Sequence, residues 1–410
     1  MRGSTRILTV LALTNLVSYA ARNALFTVYP DLHARFGIDD AELGLLQTVF
    51  MFPHAAATLP FGWAGDLYDR RRVIMLGMAL ASVAGAAGAI GHHYAGLALS
   101  RALVGLGTAA VVPVANSILA QIFDGPHKAS RLSIFNLGLL LGGVVGFGTG
   151  VVLGFPLVVI ALAAPGLVLA ALIAALPVPS TAEPPPGASM RILAGFGSRF
   201  LRDARGLLGI RTLRWVTLST TAMAFAAGGY TAWLKEFLTR EKHLTDAQAT
   251  FMLMLALVAG LAGILVGARI SDWLRARSTN GRLWTIVLGM TLTIPCAIAA
   301  IVLPAGTMLY VASVATMFFI SWYHAPMAAS VDDLAPPGKS VAAQGLVIFM
   351  MHMVGTAPSS WVLGEVSQHS TLTVAMWVPT VGLAVAAICM AIATSGFAAD
   401  HARARGGSTR

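Results

Sequence analysis

Arg22 stands in the middle of TNLVSYAARNALF, residues 14–26, and a guanidinium keeps its charge in any protein environment. In so apolar a stretch a basic side chain must face a cavity or a partner, so it marks a functional site by default. Asn15, Tyr19, Arg22 and Phe26 recur at spacings of three and four, which lays them on one face of a helix. That face can hold an anionic phosphate or carboxylate on Arg22 while Tyr19 and Phe26 cover the apolar body of a ligand. The competing use is an internal tie to backbone carbonyls or a neighbouring helix. Arg101, in RALVGLGTAAVVP, is the other basic residue inside an apolar stretch. Gly105 and Gly107 after it permit close helix contact, so Arg101 can gate, organise its helix against the first, or touch the ligand. Asn116 is a further cavity candidate.

In the second half the candidates for contact with a ligand are Tyr230, Trp322, His324 and His352. Trp233, followed by Lys235 and Glu236, reads as an aromatic of the membrane interface. His54, near Pro53 and Pro60, can take a proton close to neutral pH. Carboxylates sit only at the ends of apolar stretches, at Asp31, Asp66, Asp272, Asp332 and Glu365. Coupling to protons would therefore use His54, Asp31 or Glu365, or be absent. The chain has neither paired carboxylates, nor a zinc-ligand set, nor a Ser/His/Asp arrangement, nor a phosphate-binding G-x-x-x-x-G-K-[ST] loop. The two cysteines form no C-x-x-C. An enzyme, a cofactor and a metal are not expected.

These residues must be positioned by long apolar elements. Of 410 residues, 57% are hydrophobic and 11% charged, against about 25% charged in a soluble domain. Blocks near 7–30, 43–64, 72–91, 94–122, 131–154, 157–178, 213–234, 247–270, 283–303, 307–330, 341–364 and 373–397 approach the roughly 20 residues a membrane-crossing helix needs. They predict an all-α integral membrane protein with twelve spans. The alternation of a transmembrane β-barrel is missing. The N-terminal apolar run continues to Pro30, longer than a signal-peptide core, and reads as a retained first span.

Charge placement orients the chain. Arg2, Arg6, Arg70 to Arg72, Lys128, Arg131, the arginines between Arg191 and Arg214, and Arg269, Arg275, Arg277, Arg282, Lys339, Arg403, Arg405 and Arg410 fall on one side, and only Arg35, Lys235, Arg240 and Lys242 on the other. By the positive-inside rule both termini are cytoplasmic, in a plasma membrane of bacterial inner-membrane type. The net charge of +10 suits contact with anionic membrane lipids. Its dispersal over many loops excludes a nucleic-acid-binding stripe.

Residues 179–212, beginning PVPSTAEPPPGASMR, divide the chain into a six-helix bundle over 1–178, a cytoplasmic linker with a short surface helix around 199–208, and a second bundle plus tail over 213–410. An internal echo supports the division: GWAGDLYDRRR ends the second span and GARISDWLRAR the eighth. Asp66 and Asp272 there can cap helices or pair with arginines such as Arg70 and Arg71, a cluster that opening that face would break.

GWAGDLYDRRR and RALVGLG, with the twelve spans, resemble the major facilitator superfamily. SYAARNALF, FGIDDAELGLLQTVFMFPHAAATLPFGWAGD and RALVGLGTAAVVP look like its Spinster group. The resemblance implies two six-helix bundles rocking around a central site, transport of lysophospholipid-like or sphingosine phosphate-like molecules, and closure at the Asp66 loop. Arg22 matches the arginine of that group's Asn-Tyr-x-Asp-Arg pattern, whose acidic position is Ala21 here, and the glutamate expected after the fourth-span glycines is Thr108. Without these acids the group's proton coupling is not expected in its usual form, and Arg22, lacking an adjacent counter-ion, is open to a substrate anion. The expected function is alternating-access transport of an anionic or zwitterionic amphiphile by a monomer. A carrier of drug-like amphiphiles or small organic acids, and a receptor or scaffold without flux, are the alternatives.

Overall fold

The computed structural model describes residues 2–123, 128–178, 188–337 and 339–406. The first nine residues of the expected linker, 179–187, lie outside them. So do the side chains of Asp66, Lys128, Arg131 and Arg191. The described chain is helical nearly throughout and divides into two compact units, Met1–Arg191 and Ile192–Arg410.

The first unit contains α1 (Arg2–Asn23), a 3-10 turn at Ala24–Thr27, α2 (Tyr29–Phe36), α3 (Asp40–Leu67), α4 (Arg70–Ile90), α5 (Tyr94–Thr108), α6 (Val111–Ile122), α7 (Lys128–Leu153) and α8 (Leu157–Ala174). Gly138, Gly142, Gly146 and Gly150 form a ridge with a four-residue repeat along α7. A Cβ at any of them would run into α1 backbone or Thr27. Small residues in this register let two helices touch along their length, which replaces the hydrophobic drive that lipid cannot supply.

The second unit is built from α9 (Ala188–Gly209), which begins just before its boundary, α10 (Arg211–Glu236), a π turn at Phe237–Glu241, α11 (Asp246–Arg275), α12 (Gly281–Val302), α13 (Thr307–Ile320), α14 (His324–Leu334), α15 (Ser340–Met350), a π turn at Met351–Thr356, α16 (Ala357–His369), α17 (Leu372–Ala375) and α18 (Trp377–Gly406). The linker helix is longer than 199–208 and is docked on this unit, with Phe200 edge-on to Phe349 and Leu207 only 3% exposed.

Among the described residues nine helical stretches are long and apolar enough to cross a membrane. They coincide with the third to sixth and eighth to twelfth predicted spans. α1, α3 and α10 fall short of that apolarity, and these are the helices that carry Arg22, His54 and Tyr230.

The first predicted span breaks where the apolar pattern continues. α1 stops at Asn23, whose side-chain amide donates to the Tyr19 carbonyl at 2.8 Å, and the chain turns through Ala24–Thr27 before Pro30 opens α2. Short polar side chains that bond to the preceding turn compete with the helix.

Candidate functional site

The early end of α1 puts Arg22 in its last turn. The last carbonyls of a helix lack intrahelical partners, and here Arg101 supplies two of them. Its Nη1 donates to the Ala21 carbonyl at 3.2 Å and its Nη2 to the Arg22 carbonyl at 3.5 Å. The same guanidinium lies 4.6 Å from the Phe50 ring centroid and is 5% exposed. A cation at the carbonyl end of a helix also complements the macrodipole. These contacts tie α5 to the end of α1.

With its backbone held this way, the half-buried Arg22 side chain enters a cleft of about 260 Å³. Asn15, Ser18 and Tyr19 line it from α1, Phe50 and His54 from α3, and Thr108 from the end of α5. Arg22 lies 6.0 Å from the Tyr19 ring centroid and has no hydrogen bond or ion pair with any described residue. Asn15 donates through Nδ2 to the Phe135 carbonyl at 2.9 Å, while its Oδ1 has no partner although the residue is 1% exposed. Phe26 leaves the expected face. The 3-10 turn rotates it into the interior, 3% exposed, between Tyr29 and Phe147 at 6.1 and 6.4 Å.

His54 stacks on Phe50 with centroids 5.6 Å apart, and its Nδ1 lies 3.2 Å from the Gly105 carbonyl and 3.3 Å from Thr108 Oγ1. A carbonyl only accepts, so the Gly105 contact puts a proton on Nδ1. This closeness requires glycine at 105, because a Cβ there would collide with the Phe50 backbone. Asn116, half-buried on α6, is not among the side chains lining this cleft.

The second unit holds a larger, mostly apolar cleft of about 750 Å³, with Met223 and Tyr230 from α10, Ala297 from α12, Met317 from α13, and Tyr323 and His324 at the α13–α14 junction. The Tyr230 hydroxyl is 2.6 Å from Thr380 Oγ1, and the Tyr323 and His324 rings are 4.0 Å apart. Trp322 does not line it. It is 6% exposed and packs against Phe318 and Phe319 where Gly267 and Gly289 leave room for its Cα and Cβ. His352 sits away from this cleft in the π turn, which precedes Pro358; a proline cannot donate to the carbonyl four residues back. Trp233 is fully buried, with its Nε1 donating to the Ser360 carbonyl at 2.9 Å, and is no interface aromatic.

At the α3–α4 corner the described acid is Asp69. It caps α4 through the Arg71 amide at 3.0 Å and pairs with the Arg71 and Arg72 side chains at 3.2 and 3.6 Å. Arg70 Nη1 donates to Gln121 Oε1 at 2.6 Å. Asp272 is exposed and makes no ion pair with a described residue; the charge pair of the corresponding region of the second unit is Arg282 with Asp333. Asp31 accepts from the Phe155 amide at 2.8 Å and so ties α2 to the α7–α8 turn. Glu365 lies 3.6 Å from His369, one turn on. Lys235 and Glu236 are each 4% exposed rather than in a loop, and Lys235 Nζ is 2.6 Å from Asp246 Oδ1. Their burial was not legible because they follow the last apolar run of α10.

The chain is an all-α, multi-pass membrane protein of two helical units. Residues 11–360 match the Major Facilitator Superfamily, and the chain belongs to it. Among curated relatives it is similar to Protein spinster homolog 3 of Danio rerio, 29% identical over 384 residues covering 87% of this chain and 76% of the relative. Protein spinster homolog 1 of Homo sapiens is 28% identical over 399 residues, 89% of this chain and 73% of that one. The sphingosine-1-phosphate transporter SPNS2 of Xenopus tropicalis is 25% identical over 402 residues, covering 92% and 77%. The fold matches the crystal structure of a bacterial homolog to the human lysosomal transporter Spinster in an inward-facing, unoccupied conformation, with a TM-score of 0.82 at 19% identity over 97% and 98% of the two chains. The protein is a secondary transporter related to the Spinster proteins.

Proposed function

We propose that this transporter carries an anionic or zwitterionic amphiphile, lysophospholipid-like in form, across a bacterial inner membrane. Its helices act as twelve spans in two six-helix bundles, with both termini in the cytoplasm and one chain as the working unit. The observation that carries this reading is the Arg22 guanidinium, which meets the cleft with no hydrogen bond or ion pair from any described residue. A charge kept in a membrane segment at a cost of at least about 2.5–3.5 kcal/mol needs a partner. A phosphate or carboxylate headgroup supplies one, with Tyr19 beside it.

The apolar cleft around Tyr230, Tyr323 and His324 favours a substrate with a hydrocarbon body over a small organic acid. His352 and Asn116 serve as further substrate contacts only if the carrier rearranges. The Asp66 corner, with Arg70 and Arg71, acts as the gate, and Asp272 is its weaker counterpart.

Ala21 and Thr108 occupy the places where the related pattern carries acids, so proton coupling through those positions is lost. His54, against Thr108, is the remaining imidazole in this cleft. Uptake of a lysophospholipid into proteoliposomes, with and without a pH gradient, tests both statements. Arg22→Ala is expected to abolish uptake. Unchanged initial rates in a folded Arg22→Ala protein would end the headgroup assignment. A pH-gradient stimulation that survives His54→Asn would remove His54 from coupling.

A further inference from the structure

We propose that a groove at one end of the second unit, where the α9–α10 junction, the link before α15 and the end of α18 converge, binds the phosphate headgroup of an anionic phospholipid through Arg211 and Arg403. The proposal rests on the reading that this end faces the cytoplasmic leaflet, and not on any substrate assignment.

The groove is open to solvent and spans about 830 Å³. Ile210, Leu334, Pro336 and Pro337 make its walls apolar, and Arg211 and Arg403 stand at its rim. The single acid lining it, Asp400, is 8% exposed and both of its oxygens are engaged. Oδ2 accepts from the Thr212 amide at 3.0 Å, capping α10 from the far end of the chain, and Oδ1 accepts from Arg403 Nη1 at 3.0 Å. One cation therefore offsets Asp400 and the other is left over. Arg211 is exposed and makes no hydrogen bond or ion pair with a described residue. The Arg403 side chain remains 80% exposed, with donors to spare.

The surroundings extend this positive rim. α9 is held by Phe200 against Phe349 and by Asp203, whose Oδ1 is 2.5 Å from Lys339 Nζ. Its other face turns Arg202 and Arg205 outward beside Leu201, which is 56% exposed, and Arg214 is exposed one turn into α10. Arginines with an exposed leucine on a helix docked against the second unit form a surface for the headgroup layer. Anionic lipids of the cytoplasmic leaflet attract such basic clusters. A soluble acidic partner would have no use for the apolar walls.

The test uses the full chain in a neutral detergent, with lipid retention followed by native mass spectrometry. At equal concentrations, phosphatidylglycerol should be retained over phosphatidylcholine by about fivefold for each arginine engaged. Arg211→Gln should lose about fivefold of that preference, while Arg403→Lys, which keeps a cation beside Asp400, should retain it. Phosphatidylglycerol should also raise the melting temperature of the wild type more than that of Arg211→Gln. Equal retention of the two lipids, or an unaltered preference in Arg211→Gln, overturns the proposal. Displacement of phosphatidylglycerol by millimolar inorganic phosphate overturns the lipid assignment in favour of a simple anion site. None of these readouts depends on transport, so failure here leaves the proposed function standing.

Discussion

The Arg22 cleft of the first unit and the Tyr230 cleft of the second differ in what they leave unsatisfied. The Arg22 cleft is small and its polar groups are many: Arg22 is without a hydrogen-bond or ion-pair partner among the described residues, Asn15 Oδ1 is open, and His54 and Thr108 face the same space. In the second unit the volume is almost three times larger, and the Tyr230 hydroxyl is already bonded to Thr380. A buried charge left open asks for an opposite charge, whereas an apolar cavity asks only for apolar volume.

Arg22 and Arg101 make the same point at closer range. Both are arginines set in transmembrane stretches, and only Arg101 has hydrogen-bond partners among the described residues, through the α1 carbonyls, with Phe50 beside it. Arg22 has no hydrogen bond or ion pair with a described residue.

The largest expected effect falls on the charged cleft. Arg22→Ala should lower the affinity for an anionic amphiphile by about 1.5–3 kcal/mol, roughly 10- to 150-fold, the worth of a hydrogen bond to a charged group. Arg22→Lys should recover part of it, and isothermal binding titration reads both. If Arg22→Ala binds the amphiphile as tightly as wild type, the contrast between the clefts collapses.

Arg101→Ala should act on the fold, because it strips the end of α1 of two donors. A loss of about 1.5–3 kcal/mol should appear as a lower melting temperature and reduced yield. A variant that melts like wild type while losing transport would move Arg101 into the binding machinery.

Filling the apolar cleft sharpens the contrast from the other side. Ala227→Trp should weaken long-chain substrates more than short-chain ones, by about 0.8 kcal/mol for every methylene displaced. A chain-length series measured by competition shows whether that gradient exists.

The smallest effects separate groups that only hold the fold from groups that do not. Tyr230→Phe should cost about 1 kcal/mol through the lost bond to Thr380, seen in a thermal melt. Asp272→Asn, exposed and unpaired among the described residues, should stay within about 0.5 kcal/mol of wild type. Asp333→Asn should exceed it by breaking the pair with Arg282, a ranking that the same melts check.

Much of the fold was legible because lipid imposes a one-dimensional rule: segments that cross it must be apolar over a set length. A helix lies on each predicted block, and the arginines of the loops were readable as charge excluded from those blocks. The face shared by Asn15, Tyr19 and Arg22 followed from helical spacing alone. Phe26 escaped that spacing because the helix stops at Asn23, and an apolar pattern does not record where hydrogen bonding changes. The burial of Trp322 and Trp233 is not legible for a related reason. An aromatic near an apolar run looks the same whether it lines a cavity, sits at an interface or fills a gap opened by glycines on other helices.

By itself, the sequence determined that this is a helical membrane protein, and it set a permanent charge in the first apolar stretch, because both follow from side-chain chemistry and local periodicity. Only the tertiary structure decided which of the two arginines is held by backbone carbonyls. That outcome depends on contacts between α1, α3 and α5, brought within reach by the missing side chain of Gly105, and no local pattern encodes such distances.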